Sequence, residues 1–441
     1  MTKNLSTALL AAVISLAAGA SCQTRASSTA NAPAPVKPDS DFLELAQSGD
    51  SFAIARATVA ACAKAQNRSD CYTDFLVVPA GNRRVKVAMG ALDAIGAKDA
   101  DIKRDGHVYA HAIGIAAAKG AKDVEQPFRE CSEAYQSGCY HGVIQAWFAQ
   151  LDKIDAPEAN ALCEPFRKSE SERWIRFQCV HGMGHGLTML YSHDLNKGLA
   201  GCDLLSDWWD RESCYGGAFM ENIVNVTNPH HPASALAHHD MAGMDHDMAG
   251  MDHNASSTPF KAVDPKDQQY PCSIMPDRYL RSCYEMQTSV MLYNNGGDLA
   301  GAAKDCDSAP KDYKVTCFAS LGRDISAYSA QDHQTAIRMC SSSNPKYLPY
   351  CYLGVVKNLI DLDARATSGL SFCRDIKDEN GKNVCYSAVG EQILVLAPEI
   401  SRRRELCSGA EREYLDACLY GARVPGVVAP QKLTEYWSTT K

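Results

Sequence analysis

Eighteen of the nineteen cysteines fall into nine successive couples, and that spacing constrains the fold of this 441-residue chain more than any other feature. The couples are Cys62/Cys71, Cys131/Cys139, Cys163/Cys179, Cys202/Cys214, Cys272/Cys283, Cys306/Cys317, Cys340/Cys351, Cys373/Cys385 and Cys407/Cys418. From Cys272 onward their first members step by 34, 34, 33 and 34 residues. A fixed period of this size marks stacked supersecondary units, each too small to bury an apolar face alone. The segments between couples, such as CYLGVVKNLIDLDARATSGLSFC, carry helical spacing and almost no strand-like alternation. The expected fold is all-α: a solenoid of about ten αα-hairpins, period about 34 residues, each couple stapling one helix to the next across the turn. Thiolate metal sites are the rival use of so much cysteine. The chain has no CxxC and no CxxCH, and couples 8 to 16 residues apart suit staples in an oxidising compartment better.

The period and the hairpin resemble tetratricopeptide-type α-solenoids, and the stapling resembles their cysteine-rich secreted relatives. The tetratricopeptide Trp-Leu-Gly-Tyr signature is absent, so the resemblance covers architecture alone.

The N-terminus carries Lys3, the apolar run ALLAAVISLAA and small residues before Cys22, the pattern of a secretory signal too short to span a bilayer. GASC resembles the bacterial lipobox, with Gly19 where Leu is usual, and lipidation of Cys22 would account for the one cysteine left over. The expected organisation is a signal peptide (1–21), a flexible Ala/Ser/Pro-rich tether (22–40) and N-terminal helical repeats (41–223). A disordered insertion (224–265), C-terminal helical repeats (266–425) and a tail (426–441) follow. This implies a periplasmic protein anchored to the outer membrane by lipid only. The net charge of −8 and the lack of a basic run exclude nucleic acid as a partner.

Counting from the second cysteine of each couple, a glycine recurs at +3: Gly142, Gly182, Gly217, Gly354 and Gly421. Small residues there suit close helix–helix approach. Positions +2 and +6 hold histidine only in the N-terminal units, as His141, His181 and His185; later units carry Glu285, Arg323, Lys357 and Glu391, among others. Upstream, HVYAHAIG places His107 and His111 on one helical face, and reads as a further unit whose staple position has become His111. Gly182, Gly184 and Gly186 around His185 each weaken a helix by about 1 kcal/mol relative to Ala, so close approach of backbone or ligand is expected there. Two i, i+4 pairs and His141, at related registers of consecutive hairpins, form a candidate metal cluster, with Glu221 as a carboxylate ligand. No HExxH occurs, which excludes the familiar zinc-protease arrangement. The bland reading is a set of hydrogen-bonded core histidines; His193 and His333 read as ordinary single surface residues.

The insertion repeats one heptad, DMAGMDHDMAGMDH, at residues 240–253. It offers His238, His239, His246 and His253 with Met241, Met244, Met248 and Met251, and it cannot bury a face. Thioether selects Cu(I), while imidazole also takes Cu(II), so such a ribbon can hold copper in either state. Its composition resembles the Met/His tracts of periplasmic copper-tolerance proteins. The resulting expectation is an exported copper-binding protein, with zinc or iron as other ions for the histidine cluster, and an envelope protein as its partner. The alternatives are a solenoid scaffold for peptides or proteins and a His-ligated redox enzyme; no residue is assigned a catalytic role.

Overall fold

In a computed structural model of the chain, the structure describes residues 36–169, 172–227 and 260–440. Cys22 and all eight heptad-region ligand candidates, His238, His239, Met241, Met244, His246, Met248, Met251 and His253, lie outside the described residues. Residues 36–441 form one compact unit. It is all-helical, with no strand among the described residues.

All nine couples are disulfides, with Cα–Cα separations of 5.5 to 5.8 Å. Most tie the end of one helix to the helix after it, as Cys202 of Leu195–Cys202 meets Cys214 of Trp208–Thr227. Nine such staples place the fold in an oxidising environment. Many short helices start at an Asp or Asn whose side chain accepts first-turn amide protons, as at Asp50, Asn67, Asp194 and Asp332. This satisfies donors that the helix itself leaves unpaired. A second repeat runs through the core. The aromatic residue after the second cysteine stacks on one from the turn of the following unit in Tyr284/Tyr313, Phe318/Tyr347 and Tyr386/Tyr414, with ring centroids 5.0 to 5.4 Å apart.

The long helices pack in pairs through reciprocal glycines. A Cβ on Gly184 would lie 2.0 Å from the Cys214 carbonyl oxygen, and one on Gly217 would lie 1.9 Å from that of His181. Gly114 and Gly142, Gly322 and Gly354, and Gly390 and Gly421 face each other in the same way, at 1.9 to 2.1 Å. Only glycine lets two backbones come this close. The +3 rule therefore holds for the second helix of each pair. In the first helix the contact glycine stands at +5, so Gly182 is not part of it and lies against the Ile144 side chain. The same register corrects the reading of HVYAHAIG. Five residues before Gly114, where Cys179, Cys317 and Cys385 stand in the other pairs, is the buried Tyr109; His111 is the counterpart of His181.

The array turns back on itself. Tyr135, Gln136 and Ser137 all have positive φ (52° to 62°), and the Tyr135 and Gln136 amides donate to the carbonyls of Leu362 and Asp361, over 220 residues on. Left-handed backbone at three successive non-glycine residues costs on the order of 1–3 kcal/mol each, so the surrounding structure must hold it. At the insertion, helix Trp208–Thr227 runs past residue 223, and Phe260 stacks near Tyr270 (6.2 Å). The stretch expected as a tail carries its own helix, Gln431–Thr440, which buries Leu433 and Tyr436 and ties Thr440 to Tyr350 by a 2.7 Å hydrogen bond. Leu433, Tyr436 and Thr440 recur at i, i+3 and i+7, the spacing of one helical face, which drives that docking. Among the described residues no helix is long and apolar enough to cross a membrane.

Candidate metal centre

Four helices bring the histidines together: Gly106–Ala118 (His107, His111), Gly138–Phe148 (His141), Arg173–Leu190 (His181, His185) and Trp208–Thr227 (Glu221). Their glycines set the spacing. Gly138 makes room for His107, since a Cβ there would lie 2.6 Å from the His107 carbonyl oxygen and 3.1 Å from Nδ1. Gly184 accepts the Cys214 carbonyl, while Gly182 and Gly186 admit Ile144 and the Phe148 ring. The three glycines around His185 are thus explained by close approach of protein on three sides.

The five rings form one continuous cluster. His141 lies at its centre, with ring centroids 5.5 Å from His107, 6.5 Å from His111, 5.7 Å from His181 and 4.7 Å from His185. His107 and His111 are 6.1 Å apart, and His181 and His185 are 5.1 Å apart. One nitrogen from each of His141, His181 and His185 falls within 4.8 Å of the other two. His111, His141, His185 and Glu221 are buried.

Hydrogen bonds on the outer side fix which nitrogen carries the proton. His185 Nδ1 is 2.9 Å from Glu221 Oε2, so it holds a proton and donates it to the carboxylate. His107 Nδ1 donates to the Tyr135 carbonyl at 2.9 Å. His181 bonds the backbone of Ser213, on the helix that also flanks its Nδ1 edge at Gly216. For His185 this leaves Nε2 as the lone pair. His181 Nε2 and His185 Nε2 face each other at 3.4 Å, beyond the usual range of an N–H donor bond. The His185 lone pair is therefore turned towards His181 Nε2, and with the His181 proton on Nδ1 a cation could be held by both nitrogens. Nitrogens at about 2.0–2.1 Å around a tetrahedral ion stand about 3.3–3.4 Å apart. This pair already has that separation.

Burial keeps His141 and His181 neutral. Desolvation, reinforced by His185, pushes His181 down to about 3. It holds His141 well below the ordinary range too, with the other four histidines adding to the effect. Neutral imidazole is the ligating form.

Sequence spacing missed two contributors. His193, expected to be a lone surface residue, places Nε2 3.2 Å from Glu221 Oε1, so the carboxylate bridges His185 and His193. His193 has φ of +62° just past its helix, where no periodicity points to a partner. Glu285 carries an oxygen 4.0 Å from where a Gly216 Cβ would be, while that Cβ would lie 3.4 Å from His181 Nδ1, so an acid stands beside the cluster. Its +2 register, shared with His141 and His181, was the available signal. His333 lies elsewhere and pairs with Asp375 at 2.8 Å. No family model matches the chain, and neither a curated protein nor a solved structure with significant similarity was found, so the cluster is read from its own chemistry.

Proposed function

We propose that this is an exported metal-binding protein that holds a transition-metal ion, copper first, between His141, His181 and His185. The observation that carries this reading is the pair of facing Nε2 atoms at 3.4 Å, one of them oriented by Glu221. A carboxylate donating orientation to a ligating imidazole is the usual support of a metal-bound histidine. His141 completes the trio when its ring moves inward by about an ångström, since its nitrogen lies within 4.8 Å of the others and a tetrahedral edge is shorter. His107 and His111 extend the donor set on the other side of His141. Zinc and iron suit imidazole as well; copper is preferred because the heptads add thioethers from Met241, Met244, Met248 and Met251. In this reading the heptads collect the ion, the buried cluster retains it, and Cys22 carries a lipid that keeps the protein in the bacterial envelope.

The test is metal content by mass spectrometry after growth in copper. Three proteins are compared: the intact chain, a version lacking residues 228–258, and His181→Ala/His185→Ala. Tight copper should persist in the deletion and vanish from the double variant. Tight copper retained by the double variant would overturn the assignment of the cluster.

A further inference from the structure

Beside the cluster, on the far side of Phe177, lies a cavity of about 490 Å³, within the size range of small-molecule sites. One wall is aromatic. Trp174 stacks on Phe177 (5.2 Å, 19°), Phe177 stacks on His181 (5.3 Å, 29°), and Trp209 stands 6.2 Å from Phe177. The facing wall is aliphatic and comes from the other end of the array: Leu394, Val395 and Pro398. The charge comes from Arg173, Arg403 and Arg423. Arg173 rests over Trp209 at 4.9 Å. Arg403 is fixed by three backbone carbonyls, Ala397 (2.7 Å), Pro398 (2.9 Å) and Ala422 (3.4 Å). Burial pushes its guanidinium below the ordinary value and Arg423 adds to this, against the opposing charge of Glu399 outside the lining. The Arg423 guanidinium makes no hydrogen bond or ion pair among the described residues; the residue's backbone amide donates to the Tyr420 carbonyl at 2.9 Å.

The lining has a one-sided chemistry. Its side chains supply three guanidiniums and two indoles but no carboxylate, amide oxygen or hydroxyl. A metal ion or an amine finds no acceptor side chain there, and a sugar finds only donor side chains. Two cations held side by side with no acid in the lining favour an anion, and the flat walls favour a planar ring. We infer that this cavity is a binding site for a small aromatic anion, its ring laid against Trp174, Phe177 and Trp209 and its acid group held by Arg403 and Arg423. Phe177 touches both this cavity and His181, so an occupant would sit one ring away from the histidine cluster. The inference stands on the cavity and does not depend on any ion being bound.

Isothermal titration calorimetry of the full mature protein with 2-naphthoate and with neutral 2-naphthamide tests it. Naphthoate should saturate one site with Kd of about 1 mM or tighter and bind at least about tenfold more tightly than the amide, the factor expected from one charge-assisted pair. Arg423→Ala should erase most of that preference, Arg423→Lys should restore part of it, and Trp174→Leu should weaken both compounds. Equal affinity for the two compounds would overturn the anion site, as would unchanged naphthoate binding in Arg423→Ala. Absence of saturable naphthoate binding to the unmodified protein would overturn it too.

Discussion

In the helix pair joined by Gly184 and Gly217, positions −3 and +1 from the first glycine and +4 from the second hold His181, His185 and Glu221. In the pair joined by Gly322 and Gly354, the same positions hold Ala319, Arg323 and Asn358. The backbones meet in one way in both halves, carbonyl against glycine at about the same distance. The groups presented inward differ. The C-terminal half carries charges that neutralise one another: Lys357 pairs with Glu391, and Arg323 bonds Asp324, Ser289 and the Glu285 carbonyl. The N-terminal half carries imidazoles: His185 and His107 donate outward to Glu221 and Tyr135, and the Nε2 atoms of His181 and His185 face each other at 3.4 Å. One frame thus serves two purposes. Where the charges cancel, the inner surface supports the fold; where imidazole nitrogens converge, the same frame presents a set of possible metal ligands.

The largest test of the shared frame is to break it equally on both sides. Gly184→Ala and Gly354→Ala each drive a methyl into a carbonyl oxygen, and each should cost about 3 kcal/mol or more in chemical denaturation. If only one of the two is destabilised, the halves are not built alike.

A smaller change separates the halves by function. Glu221→Gln weakens the proton acceptor of His185 without altering size, and should lower metal affinity about 10- to 100-fold in a competition titration. Lys357→Met in the other half should leave that affinity unchanged and alter stability by about 1 kcal/mol or less, because the pair with Glu391 is partly exposed.

The smallest effect is in the sign of the pH response. His181 is pushed from 6.5 to about 3, so between those values the unfolded chain binds more protons than the folded one. This contribution to stability is complete above about 6.5 and is lost as the pH falls towards 3. Burial raises Asp361, in the other half, from 3.8 to about 6. There the folded chain binds more protons, so stability is gained as the pH falls from 6 towards 3.8. Metal-free protein carrying Asp361→Asn should therefore lose stability more steeply on acidification than the unmodified chain in thermal melts. A shallower loss would show that Asp361 is not desolvated as described.

The staples and the all-helical repeat were legible because a disulfide across a turn fixes a sequence spacing, and Cys272, Cys306, Cys340, Cys373 and Cys407 keep it. The histidine face was legible for a related reason: His107/His111 and His181/His185 are i, i+4 pairs on helices whose register the glycines set. Other features left no periodic trace. The alternation of the contact glycine between +3 and +5 depends on which helix of a pair comes first. His193 reaches Glu221 from a left-handed turn, and Tyr135 holds His107 from another. Such contacts are set by tertiary geometry, not by a repeat. The cavity at Phe177 joins residues from opposite ends of the array, which no local pattern announces.

The most direct test of the central claim is an anomalous-diffraction map from crystals of the full-length mature protein grown with copper. The account predicts one strong peak about 2.0–2.1 Å from both His181 Nε2 and His185 Nε2, with the His141 ring turned towards it. Anomalous density confined to other parts of the molecule, with His181 and His185 still facing each other across an empty 3.4 Å gap, would contradict it.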